Sequence, residues 1–129
     1  MSKEKTISER VISCAFEVSN ALGSGFLESV YENALGLELA SKGLAFEQQK
    51  QIKVVYRDKV VGNYVADLVV EDRLLIELKA LSGFSKIHEA QLMNYLKATG
   101  INVGLLLNFG TPRLGVRRLV WQYKETERI

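Results

Sequence analysis

Sulfur chemistry is nearly absent from this chain. Cys14 is its only cysteine, so no internal disulfide forms and no Cys/His cluster has zinc spacing. Proline is as scarce, with Pro112 alone, and no low-complexity segment, linker or internal repeat interrupts the chain. Net charge is small, at +2. That value does not by itself signal nucleic-acid binding, although positive charge can still gather on one face. Arg113, Arg117 and Arg118 mark either such a face or a solvated strand and loop. Long hydrophobic runs are missing, and nothing approaches the roughly 18 apolar residues of a membrane span. The opening MSKEKTISER is polar and charged, unlike a signal peptide. A cytoplasmic protein without membrane attachment is the expectation.

What is present suits one compact domain over residues 1–129. Apolar residues make up 47% of the chain and charged residues 25%, an ordinary globular balance. Ile7, Val11, Cys14, Ala15, Val18, Ala21 and Leu22 recur at helical spacing. Thr6 and Glu9 have the spacing of a capping box, and Gly23 offers a left-handed C-cap. Cys14 falls on the apolar stripe and reads as core. The turn Gly23-Ser24-Gly25 lacks the phosphate-binding glycine patterns. A second helix is expected over Leu27–Ser41.

From Phe46 to Lys79 the pattern becomes strand-like. Gln51–Tyr56 alternates polar and apolar residues, Arg57-Asp58 turns the chain, and Val60–Val70 follows. Glu71-Asp72-Arg73 breaks it, and Leu74–Ala80 forms a third strand of an antiparallel meander. The last two strands are apolar on both faces, as expected of central strands covered on both sides. A helix over Ser85–Thr99, stopped by Gly100, leads to a buried strand over Asn102–Phe109. This implies a right-handed crossover and a parallel pair. Gly115–Tyr123 suits a final strand and Lys124–Ile129 a frayed tail. The order α-α-β-β-β-α-β-(β) describes an α/β protein, a mixed sheet with helices on its faces.

Three ionisable residues interrupt the apolar strands: Asp67, Glu77 and Lys79. Such residues are seldom buried unless paired or bound to metal. Strand alternation puts Glu77 and Lys79 on one face. If Glu71-Asp72-Arg73 is a three-residue loop, Val70 pairs with Leu74 and Asp67 lies opposite Glu77. Two carboxylates that close repel unless a proton or a cation intervenes, and Mg²⁺ takes such oxygen ligands. The plain alternative is a buried carboxylate–lysine pair. In the second helix Glu28, Tyr31, Glu32, Leu35 and Leu39 share a face, and Glu28 is favoured over Glu32 as the functional acid. In the third, Gln91 lies between Ile87 and Tyr95 on a face with Phe84, His88 and Ala98, where a core-facing amide needs partners. His88, the only histidine, reads as a surface or backbone-bonded residue before a catalytic base.

Asp67, nine intervening residues, then Glu77-Leu78-Lys79 resembles the D-x(n)-(D/E)-x-K core of the PD-(D/E)XK nuclease superfamily. Gly25-Phe26-Leu27-Glu28-Ser29-Val30-Tyr31 is similar to the opening signature of the small bacterial GxxExxY proteins, and the likeness runs from about Ile7 to Val120. Ala66 replaces the proline of the superfamily's name. The resemblance implies an α-β-β-β-α-β core, with Asp67 and Glu77 as metal ligands and Glu28 as the first-helix acid. It implies Lys79 as the catalytic lysine and Gln91 as the helix glutamine. The implied activity is Mg²⁺- or Mn²⁺-dependent hydrolysis of nucleic-acid phosphodiesters. The alternatives are a non-catalytic nucleic-acid-binding or regulatory module on the same fold, or an interaction homodimer using the first helix or the segment around Trp121.

Overall fold

The computed structural model describes residues 4–129. Its elements run α1 (Ile7–Leu22), α2 (Glu28–Ser41), β1 (Phe46–Tyr56), β2 (Lys59–Val70), β3 (Leu74–Lys79), α3 (Lys86–Thr99), β4 (Val103–Asn108) and β5 (Gly115–Val120). The strands form a mixed sheet in the order β1-β2-β3-β4-β5. β1, β2 and β3 are antiparallel neighbours, β3 and β4 are parallel, and β5 returns antiparallel to β4. The α/β order and mixed sheet are those expected of the PD-(D/E)XK core.

Local chemistry explains the ends of the elements. The Glu9 N–H donates to Thr6 Oγ1 at 3.2 Å and the Thr6 N–H to Glu9 Oε1 at 3.1 Å, a reciprocal cap that satisfies two orphan donors of α1. Gly23 ends the helix differently from expectation: its φ of 70° combines with a ψ of −174°, outside the left-handed helical region. Gly100 does take that conformation, at φ 76° and ψ 4°, and stops α3.

Alternation along β3 feeds two cores. Leu74, Ile76 and Leu78 face α1 and α2, packing with Val11, Leu35 and Leu39. Leu75 faces the other way and packs with Leu92, Tyr95 and Leu96 of α3. Each such leucine removed from water contributes about 1.5–3 kcal/mol, so β3 and β4 are pinned from both sides.

β2 departs from the expectation of a strand covered on both faces. Ala66, Leu68, Val69 and Val70 are buried, but Val60, Val61, Tyr64 and Val65 are exposed. The reason is length. β1 and β2 have 11 and 12 residues against 6 in β3 and β4, an overhang of about 20 Å at 3.3 Å per residue. The overhang projects past the sheet as a two-stranded arm. The C-terminus also differs from the frayed tail expected. Ile129 is buried, and its carbonyl accepts from Ser8 Oγ at 2.9 Å and Arg118 Nη2 at 3.1 Å. Among the described residues no helix is long and apolar enough to cross a membrane.

Candidate active site

The register of β2 and β3 pairs Val70 with Leu74 and Leu68 with Ile76, as the three-residue loop requires. One step further it sets Asp67 opposite Glu77. There the paired ladder ends and side chains take over the backbone groups. The Asp67 N–H donates to Glu77 Oε1 at 3.1 Å, and the Leu78 N–H donates to Asp67 Oδ2 at 2.8 Å. Beyond this point β2 follows β1 into the arm while β3 stays with β4. The two carboxylates therefore sit in the fork of the sheet.

Glu77 is only 6% exposed. Burial, then the neighbouring Asp67 charge, pushes its carboxyl from the ordinary 4.5 up to about 8. Among the described residues no buried side-chain oxygen or nitrogen lacks a hydrogen-bond partner. An all-oxygen pair of this kind, one member short of a counter-charge, has the donor chemistry of a hard divalent cation site. Among the described residues no three His, Cys, Asp or Glu side chains stand close enough to hold one ion. Glu28 is exposed on the first turn of α2 and does not stand grouped with Asp67 and Glu77.

The acid of α2 that reaches the fork is Glu32, through an amide relay. Gln49 Nε2 donates to Glu32 Oε1 at 2.7 Å and lies 3.4 Å from Asp67 Oδ1. Gln49 has a φ of 53°, an uncommon backbone for a residue with a side chain, at the place where β1 faces Asp67. The Gly25–Tyr31 signature acts on backbone. Tyr31 is fully buried, its hydroxyl donates to the Gly23 carbonyl at 2.6 Å and accepts the Phe26 N–H at 3.1 Å. Gly25 adopts a φ of 117° that side chains avoid. The Tyr31 ring stacks on Phe109 at 4.7 Å, docking α2 against the chain just beyond β4.

Lys79 shares the face of Glu77 and is half-buried at the end of β3. Its side chain makes no ion pair among the described residues, and its carbonyl accepts the Phe109 N–H at 2.8 Å. Asn108, opposite it on β4 and 1% exposed, clamps the following turn. Asn108 Oδ1 accepts the Leu81 N–H at 2.9 Å, and Nδ2 donates to the Leu81 carbonyl at 3.0 Å. The strand ladder is thus extended by a side chain, and Lys79 is fixed between two anchored segments.

Gln91 is half-buried on α3, one turn before Tyr95. The Tyr95 hydroxyl is pushed up by burial and then by the negative charge of Glu77, while the Gln91 amide works against that push. The face around Gln91 is not core as expected, since Ile87 is 78% exposed. His88 bonds Ser85 Oγ through Nδ1 at 3.0 Å. The basic cluster is largely occupied: Arg117 lies over Phe84 and pairs with Glu89, and Arg118 lies over Tyr123.

Sequence reasoning passed over Gln49, Asn108 and Tyr95. A polar Asn closing an otherwise apolar strand was the available signal for Asn108. Gln49 carried none, because its role depends on the irregular backbone of β1.

Comparison with known proteins adds the family. A family model described as the PD-(D/E)XK nuclease superfamily matches residues 5–119. No curated protein matches the chain. Among solved structures, the crystal structure of SSO0001 is similar at a TM-score of 0.57 and 17% identity, covering 98% of this chain and 73% of that one. An alkaline exonuclease from Laribacter hongkongensis, LHK-Exo, is similar at a TM-score of 0.52 and 14% identity, covering 98% and 74%. At those identities the two structures speak for the fold. The family model covers nearly all of the chain, and the chain belongs to the PD-(D/E)XK nuclease superfamily.

Proposed function

We propose that this protein hydrolyses phosphodiester bonds in nucleic acid, using a divalent cation, Mg²⁺ or Mn²⁺, held by Asp67 and Glu77. The observation that carries this reading is the carboxylate pair in the fork: Glu77, buried beside Asp67, holds a proton to about 8 where a cation would serve instead. Held by Asp67 and Glu77, such a cation would supply an acidified water and neutralise charge on the phosphate. Asp67 and Glu77 each have one carboxylate oxygen fixed by a backbone N–H, and Asp67 Oδ1 also meets the Gln49 amide at 3.4 Å. Lys79, on the same face and with no ion pair among the described residues, would orient the attacking water or meet the charge that develops on the phosphate. Gln91, one turn before Tyr95 on α3, would support Lys79 or touch the substrate backbone. Glu28, the first-helix acid, stands outside the pair and would help to hold the cation or recruit a second one.

The finer family assignment is part of the proposal. The Gly25–Tyr31 signature supports the GxxExxY group, because its glycine and tyrosine build the loop that leads into α2.

The test is calorimetric titration of Mg²⁺ and Mn²⁺ into wild type and Asp67→Ala, with cleavage of mixed DNA and RNA substrates alongside. Binding and cleavage that both vanish in Asp67→Ala are the expected result. Metal binding without cleavage of any substrate would favour the non-catalytic module. Absence of binding at millimolar metal in the wild type would refute the site.

A further inference from the structure

The arm and α3 enclose a groove that the hydrolytic reading does not use. Its outer part, about 570 Å³, is lined by Lys53, Val54, Gly62, Tyr64, Asn94 and Lys97 among others. Its inner part, about 340 Å³, continues past Val54, Tyr64 and Asn94 to Gln91 and Tyr95. The two parts share three lining residues and so form one channel. Its inner end lies on the side of the carboxylate fork, because Glu77 shares the face of Leu75, which packs in one cluster with Tyr95, and the charges of Glu77 and Asp67 act on the Tyr95 hydroxyl.

The lining has a definite chemistry. Lys53 on β1 and Lys97 on α3 are both exposed, and no acidic residue lines either part. Tyr64 is 48% exposed and rests on Tyr95 with ring centroids 5.4 Å apart, leaving an aromatic surface open to the channel. Asn94 and Gln91 add side-chain amides. At the tip of the arm Tyr56 is also exposed, with Arg57 over its ring at 5.3 Å.

We infer that this channel binds a single strand of nucleic acid and leads it to the carboxylate fork, an inference that rests on the proposed nuclease reading. Phosphates pair with Lys53 and Lys97, and a base stacks on Tyr64. Cationic grooves with aromatic platforms hold single strands in this way. A duplex keeps its bases in the helical stack and has no free base face to offer Tyr64. A second copy of the chain fits less well, since an isologous contact would bring together two copies of a patch that carries lysines and no acid. Gly62 matters by its size: a Cβ there would meet only ordinary contacts, with Tyr64 at 3.5 Å and Val54 at 3.8 Å. A larger side chain is accommodated by the fold and occupies the channel.

The experiment is fluorescence anisotropy with a labelled single-stranded oligonucleotide and a duplex of equal length. It is run in EDTA so that binding is read apart from cleavage. The single strand should bind more tightly than the duplex. Tyr64→Ala and Gly62→Val should each weaken it roughly tenfold, while Tyr64→Phe keeps the stacking face and the affinity. Lys53→Gln combined with Lys97→Gln should flatten the slope of log K against log salt by about 1.4, two single-strand contacts at about 0.7 each. The lysines are exposed, so that variant reports binding without a folding defect. A duplex bound as tightly as the single strand would overturn the inference. So would wild-type affinity and salt slope in the lysine double variant, or no measurable single-strand binding. A dimer dissolved by Val55→Asp with Val61→Asp, with oligonucleotide binding unchanged, would overturn it in favour of self-association. If wild type binds as described yet cleaves nothing with metal, the nuclease reading fails while the channel stands.

Discussion

Glu77 ties the stability of this protein to its chemistry. Folded, its carboxyl titrates near 8; unfolded, it returns to the ordinary 4.5. Between those values the folded chain holds one proton more than the unfolded chain, so unfolding becomes easier as pH rises. The contribution is complete below about 4.5 and lost once pH passes about 8. Thermal melts in EDTA should therefore fall in midpoint across that window, and Glu77→Gln, neutral throughout, should flatten the decline. A cation replaces the proton, so metal affinity should rise with pH up to about 8 and each binding event should release a proton. Calorimetry in buffers of different ionisation enthalpy measures that release. Lys79 has a different signature. It has no ion-pair partner among the described residues, so Lys79→Ala should leave the fold and metal binding in place. Loss of a charge that meets the transition state lowers kcat by roughly 10²–10³-fold, with KM little changed, in steady-state kinetics on a nucleic-acid substrate.

At the scale of elements, the site depends on how the chain leaves β3 and β4. Asn108→Ala would strand the Leu81 N–H and carbonyl that its amide now satisfies, at about 1–3 kcal/mol for buried polar groups left unpaired. Gly110 is tighter still: a Cβ there would fall 2.3 Å from the Leu81 backbone nitrogen. Gly110→Ala must move the turn after Lys79, and urea denaturation should show a loss of about 1–3 kcal/mol together with lost activity. This turn was only partly legible in the sequence: Asn108 stands out as a polar residue closing an apolar strand, but Gly110 does not differ in type from an ordinary loop residue. The fork was legible. Asp67, Glu77 and Lys79 stand out against Val and Leu, and a three-residue loop fixes their register. The relay from Glu32 was not, since a helical face cannot say which of its two acids meets Gln49, and Gln49 relies on a positive φ that no pattern announces. α1, α3 and β4 declared themselves through apolar period and caps. The end of β5 did not, because Val120-Trp121-Gln122-Tyr123 keeps a strand-like composition while Gln122 turns with a φ of 50°.

For the whole molecule the decisive asymmetry is between a sheet covered on two faces and an arm covered on little of either. β3 and β4 are buried almost throughout, between α1–α2 and α3. The distal halves of β1 and β2 carry exposed Val55, Tyr56, Val60, Val61 and Tyr64. Isolated two-stranded hairpins are marginal in water, and this arm gains its support chiefly from Tyr64 resting on Tyr95 and from Ile52 and Ala66 in the α3 cluster. Backbone amides near the Arg57-Asp58 turn should therefore exchange hydrogen much faster than those of β3 and β4, which open only with global unfolding. Protection should rise along β2 from Val60 to Leu68. If a strand of nucleic acid lies between the arm and α3, adding the oligonucleotide should slow exchange from Val54 to Tyr64 and leave β3 and β4 unchanged. Uniform protection along β1 and β2 without ligand would instead mean that the arm is as rigid as the sheet, and that the channel is set by the fold rather than closed by what it binds.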